Sequence, residues 1–124
     1  MAQIPVISES EWRVMKVLWA DSPLAAMDII KVLADTEDWH PNTVKTLLSR
    51  LHKKKAVAVE KHKNLYLYRP VVSEADCVRT ESQSFLQRVF GGSVNPLLAH
   101  FVEEQRMSPE DLDELKKMLR QKQK

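Results

Sequence analysis

Between His40 and Ala56 the chain reads HPNTVKTLLSRLHKKKA, and the spacing inside that stretch limits what it can become. Val44, Leu47, Leu48 and Leu51 fall at i, i+3, i+4 and i+7, which places them on one face of an α-helix. Proline suits the first position of a helix, where its missing N–H breaks no bond, so the pattern predicts a helix from Pro41 to about Lys54. The apolar face must turn inward. The opposite sector collects Asn42, Thr46, Ser49 and Lys53, flanked by Thr43, Lys45 and Arg50, and none of these is acidic. A merely solvated face would mix Lys with Glu. Amides, hydroxyls and cations without carboxylates suit base edges and phosphates, because a helix fits the major groove of duplex DNA and those groups match its donors and acceptors. Lys53, Lys54 and Lys55 follow as candidate phosphate contacts, which give affinity with little sequence information.

Charge is distributed in the same sense. Residues 1–40 carry three basic and seven acidic side chains, residues 41–69 eight and one, and residues 70–124 eight and nine, although the whole chain is only +2. A positive field confined to the middle is the footprint of a phosphate-binding segment, with a solvated basic face as the alternative.

The rest of the chain is clearly punctuated. Ser8 and Glu11 form a capping-box pair ahead of Trp12, Met15, Leu18 and Trp19, predicting a helix over about residues 8–20. After the DSP break, Ile29, Ile30, Val32 and Leu33 predict a second helix over about residues 25–34, closed by DTEDWH. Beyond the third helix the period changes. Val57 and Val59, then Leu65 to Tyr68, predict two short strands around a basic tip that includes Lys61, His62, Lys63 and Asn64, and Pro70 ends the hairpin. Such a hairpin can lie on DNA as a wing beside a helix-turn-helix, with Lys61, Lys63 and also Arg69 toward phosphates.

Three further helices are predicted. The fourth starts at Ser73 with Asp76 as its cap and stops at Gly91–Gly92, the fifth follows Pro96 to about Gln105, and the sixth opens at Ser108–Pro109. Phe85, Leu86, Val89, Phe90, Leu97, Leu98, Phe101, Val102, Leu112, Leu115, Met118 and Leu119 are too many apolar groups for three separate surface helices. A homodimer would bury them and would double the base contacts on a palindrome, whereas a monomeric helical core is the other way to cover them. The expected fold class is mainly α with a small β-hairpin wing: a winged helix-turn-helix domain over residues 1–72 and a C-terminal helical dimerisation region over 73–124.

Several functions are disfavoured. No paired nucleophile and base, Gly-rich phosphate loop or metal-ligand spacing is present, so neither enzyme nor cofactor nor metal is expected, and His40, His52 and His62 do not form a ligand set. Cys77 is alone, which excludes an intrachain disulfide and favours a buried structural thiol. With no apolar run long enough to span a bilayer and no signal-peptide pattern, the expected location is the cytoplasm, without membrane insertion.

The sequence resembles the BlaI/MecI penicillinase and methicillin-resistance repressor family over about residues 4–122. The likeness is carried by ISESEWRVMKVLW, by the W-x-P-x-TVKTLLSRLHKK pattern from Trp39, by YLYRP closing the wing and by SFLQRVFGGS in the fourth helix. It implies a dimeric repressor on an inverted-repeat double-stranded DNA operator, with Asn42, Thr43, Thr46 and Arg50 approaching the bases. It further implies regulation of β-lactam resistance and release by a sensor-linked protease cutting at a bond that corresponds to His100–Phe101. The chain departs from the family pattern at His100, where asparagine is usual, at Asn42 for lysine, at Lys55 for the helix-ending glycine, and at Lys63–Asn64 for a Gly-Arg pair. The cysteine pairs of copper-responsive relatives are missing. The alternatives are a winged-helix protein-interaction module and a repressor controlled by redox or ligand.

Overall fold

The computed structural model describes residues 4–104 and 106–122, apart from the side chains of Leu119 and Lys122. The element order is α1 (Glu9–Ala20), β1 (Leu24–Ala25), α2 (Ala26–Glu37), α3 (Pro41–Lys53), β2 (Val57–His62), β3 (Leu65–Pro70), α4 (Glu74–Phe90), α5 (Val94–Glu103) and α6 (Pro109–Lys122). The chain forms two compact units, Met1–Thr80 and Glu81–Lys124, so their border lies inside α4 rather than ahead of it.

Helix boundaries follow local chemistry. At α1 the Ser8 hydroxyl accepts from the Glu11 amide (3.2 Å) while the Glu11 carboxylate accepts from the Ser8 amide (2.8 Å), a reciprocal box that satisfies two otherwise orphaned donors. Pro41 opens α3, and the His40 ring nitrogen Nδ1 accepts from the Asn42 amide at 3.1 Å. Ser73 caps α4 through the Asp76 amide, and Ser108 and Asp111 box the start of α6. Gly91 and Gly92, at φ of 60° and 89°, end α4 in a conformation that side chains disfavour.

The first unit has one core. Val14, Met15 and Leu18 of α1, Ile29, Ile30 and Leu33 of α2, and Val44, Leu47, Leu48 and Leu51 of α3 are buried together with Ala56, Val57 and Cys77. Val32, expected among the inward residues of α2, is 40% exposed. The Trp19 indole donates to the Val72 carbonyl at 2.9 Å and meets Trp12 edge-on at 5.6 Å, fastening α1 to the segment after the wing.

The sheet is antiparallel in the order β1-β3-β2. The expected hairpin is its larger part, with Lys61 opposite Tyr66 and His62 opposite Leu65. The added strand, β1, pairs Leu24 with Tyr68 and Ala25 with Leu67, so the base of the wing is anchored to the helical core while its tip is not. In the second unit α5 has no buried residue, and Phe85, Val89, Phe101 and Val102 are all exposed.

Candidate nucleic-acid interface

Helix α3 presents the two faces its periodicity requires. Its four aliphatic residues are buried, while Asn42, Thr43, Lys45, Thr46, Ser49, Arg50 and Lys53 are exposed. Among the described residues, no intramolecular side-chain hydrogen bond or ion pair engages those polar groups, in contrast to Arg13, Lys16, Arg69 and Arg79, each held by a carboxylate. A set of donors left open on a rigid, core-anchored helix is what a polar ligand surface needs.

Two cations predicted to face phosphates are engaged elsewhere. The Lys54 ammonium donates to Glu11 Oε1 at 2.5 Å and to the Val6 carbonyl at 2.8 Å. Glu11 is 1% exposed, and its other oxygen, Oε2, has no hydrogen-bond partner among the described residues. Burial pushes the Glu11 carboxyl up, but hydrogen bonds from Lys54 and Ser8 and the lysine charge outweigh it, so the group sits below its ordinary value. The charge of Lys54 therefore neutralises a buried carboxylate. The signal was in the period: Lys54 lies three residues after Leu51 and seven after Leu47, on the inner edge of the helix. Arg69 is likewise turned, its Nε donating to Glu60 at 3.2 Å across the hairpin.

The wing keeps Lys61 and Lys63 exposed at its end. Lys61 Nζ stands 6.0 Å from the centroid of the Tyr66 ring, and Tyr66 and Leu65, which the sequence pattern assigned only to a strand, are 57% and 58% exposed. Lys55 and Lys63 occupy left-handed backbone, at φ of 65° and 59°. Both were noted above as departures from a glycine in the resembled pattern, and glycine adopts this backbone without the steric cost that a Cβ brings.

Along the seam between α1 and α3 lies a cleft of about 600 Å³ lined by Ser8, Ser10, Asn42, Thr43, Thr46, Leu47 and Arg50. It carries hydroxyls, an amide and a guanidinium but no carboxylate, and it joins four of the predicted site residues into one concavity.

Elsewhere, Cys77, expected as a buried structural thiol, is unsuited to the redox role that was its alternative. Cys77 is 1% exposed, and burial, with the neighbouring Asp76 charge, pushes its thiol above the ordinary value, so the reactive thiolate is disfavoured. His100 and Phe101 both lie within α5 with their rings 5.9 Å apart. The expected dimerisation residues Phe85, Val89, Phe101 and Val102 are exposed, and Leu86, Phe90, Leu97, Leu98, Leu112 and Leu115 only partly buried, whereas the side chain of Leu119 lies outside the described residues. No described helix is long and apolar enough to cross a membrane.

A three-helix core, a helix with its outer face open and a short antiparallel hairpin define a winged helix-turn-helix domain. The chain belongs to the family described as "Penicillinase repressor", whose pattern matches residues 7–121. It is 38% identical to the penicillinase repressor of Bacillus licheniformis over 119 residues, covering 96% of this chain and 93% of that protein. It is 34% identical to the methicillin resistance regulatory protein MecI of Staphylococcus aureus (strain N315), covering 94% of each. Among solved structures, the DNA-binding domain of the repressor BlaI superposes with a TM-score of 0.55 at 41% identity, covering 61% of this chain and 93% of that one. The monomeric form of Bacillus licheniformis BlaI, in complex with the blaP half-operator, matches with the same figures.

Proposed function

We propose that this chain is a homodimeric transcriptional repressor that sets α3 in the major groove of an inverted-repeat operator, with the wing on the adjacent backbone. The carrying observation is the exposed, acid-free outer face of α3, whose side chains make no described intramolecular bond while its inner face is fixed in the core. Asn42, Thr43, Thr46, Ser49 and Arg50 read bases, and Lys45, Lys53, Lys61 and Lys63 neutralise phosphates. A relative bound to its half-operator supports this reading, as do the repressor names of the other relatives. The controlled genes are those of β-lactam resistance, by the same analogy.

The second unit supports dimerisation. Phe85, Val89, Phe101 and Val102 are 39–54% exposed, and among the described residues of this unit no apolar side chain is fully buried in the single chain, short of the covered core that independent stability requires. A second copy supplies the missing apolar surface and the two-fold symmetry of the operator. Cutting at His100–Phe101, in the C-terminal half of α5, divides that surface and releases DNA by mass action. The opposing reading, a protein-interaction module, would need an acidic partner to occupy the same face.

The test is selection of bound fragments from genomic DNA with sequencing, followed by salt titration on the recovered site and a scrambled one. The repressor reading predicts a palindromic site bound at least about a thousandfold more tightly than the scramble. Equal, weak binding to both would support the interaction module instead. Induction in cells of a His100/Phe101 variant that resists cutting would remove the proteolytic part alone.

A further inference from the structure

Thr43, Leu47 and Arg50 of α3, with Lys54 as its C-cap, form one flank along the edge of its buried face. The start of α1 lies along that flank: Lys54 is bonded to Glu11 Oε1 and to the Val6 carbonyl at one end, while Ser8 and Ser10 share the cleft with Thr43, Leu47 and Arg50 toward the other. The buried ion pair thus fixes the register of α1 on the recognition helix. Ser10 is exposed, and no described intramolecular hydrogen bond engages its hydroxyl, whereas Ser8 caps α1. Neither acid of the first turn lines the cleft: Glu11 is sequestered by Lys54, and Glu9 stands 3.8 Å from Arg13.

We infer that this cleft seats one phosphodiester of the operator backbone, and that Ser10 is a DNA-contacting residue lying outside the recognition helix. The inference rests on the DNA-binding reading above and adds a contact from a different element. The ligand chemistry follows from the lining: the Ser10 hydroxyl and the N–H donors of Arg50 that a base edge leaves over offer several hydrogen bonds and one positive charge, which suits a singly charged diester. A phosphate held here would clamp the strand between α1 and α3 and fix the angle at which Asn42 and Thr46 meet the groove. The contact carries no sequence information of its own.

The experiment uses the full chain and the operator duplex recovered from genomic selection, in parallel with duplexes carrying a single neutral methylphosphonate at successive positions. Ser10→Ala, at an exposed site in the first turn of α1, is expected to leave the melting temperature unchanged. It should weaken binding to operator and scramble alike by about tenfold, with no change in salt slope because no cation is lost. Ser10→Glu should weaken it by at least a further tenfold. One methylphosphonate per half-site should weaken the wild-type chain by more than Ser10→Ala does, since Arg50 also loses its charge partner, and at that position alone should weaken Ser10→Ala by a smaller factor than the wild type, the signature of a shared contact. Wild-type affinity in both Ser10 variants, or losses that multiply at every phosphate position, would overturn the inference while wild-type operator binding still stood. A wild-type chain that bound no duplex specifically would instead overturn the underlying reading.

Discussion

Replacing Lys54 with methionine separates stability from DNA contact at a position where sequence reasoning placed the second and the structure places the first. The substitution keeps most of the side-chain volume but removes the ammonium from Glu11 Oε1 and the Val6 carbonyl, leaving a carboxylate that is 1% exposed with the Ser8 amide as its remaining described partner. Breaking a fully buried ion pair costs about 3–5 kcal/mol. The Lys54 side chain is 36% exposed, so solvent already screens part of the interaction and about 2–3 kcal/mol is expected. For a cooperative unit of this size that is a fall of roughly 10–20 °C in melting temperature. Adding Glu11→Gln should recover more than half of the loss, because the buried charge is then gone.

The sign with pH follows from the lowered Glu11 pKa. A carboxylate held below its unfolded value stabilises the fold above that value and ceases to do so as pH falls through the folded one. The wild-type advantage over the double variant should therefore be full at neutral pH and vanish in the acid range below the ordinary carboxylate pKa. Circular dichroism melts across pH give the stability, and fluorescence anisotropy against salt gives the DNA contact. Below its melting temperature, Lys54→Met should keep the wild-type salt slope, while Lys53→Ala should reduce it by about two per bound dimer, roughly one for each half-site. An unchanged melting temperature with a reduced slope in Lys54→Met would refute the assignment.

Other substitutions test separate parts of the account. Thr46→Ala or Asn42→Ala should cost roughly 1–3 kcal/mol at one base position in an operator-variant binding series, whereas Lys53→Ala should weaken all sequences about equally. Lys55→Gly relieves a left-handed residue at φ 65° and, after the added chain entropy, should raise stability by about 0.5–1 kcal/mol in a denaturant titration; a decrease would contradict the steric argument. Cys77→Ser places a hydroxyl in an apolar site and should lower stability by about 1–3 kcal/mol. Peroxide at moderate concentration should leave operator affinity of the wild type unchanged, and a loss reversed by reductant would restore the redox alternative.

Much of this fold is written in short-range signals. Capping pairs such as Ser8 with Glu11 and Ser108 with Asp111, Pro41 and the paired glycines are local chemistry, and the helices begin and end close to where those residues place them. Strand β1 was not legible, because a two-residue segment after a break has no period and gains its partner only when Tyr68 arrives beside it. Helix α2 runs past Ala34 to Glu37 because Asp38 adopts left-handed backbone and bonds back to Leu33, a stop that polar composition alone does not mark. Helix α5 starts at Val94, ahead of Pro96, since a proline is tolerated throughout a first turn that lacks amide partners. At the site, the outer face of α3 was readable from spacing, but Lys54 was grouped with its neighbours by charge although its angular position was that of an inner residue. The cleft with Ser8 and Ser10 depends on how two helices meet, which neither helix encodes alone.

The most direct measurement of the central claim is guanine N7 methylation protection on the selected operator, since N7 lies in the major groove. The account predicts protected guanines in two clusters related by the operator's two-fold symmetry, about one helical turn or a multiple of it apart, with protection lost locally in Asn42→Ala and Arg50→Ala. Binding that leaves every N7 reactive, or a single unpaired cluster unaffected by those substitutions, would contradict it.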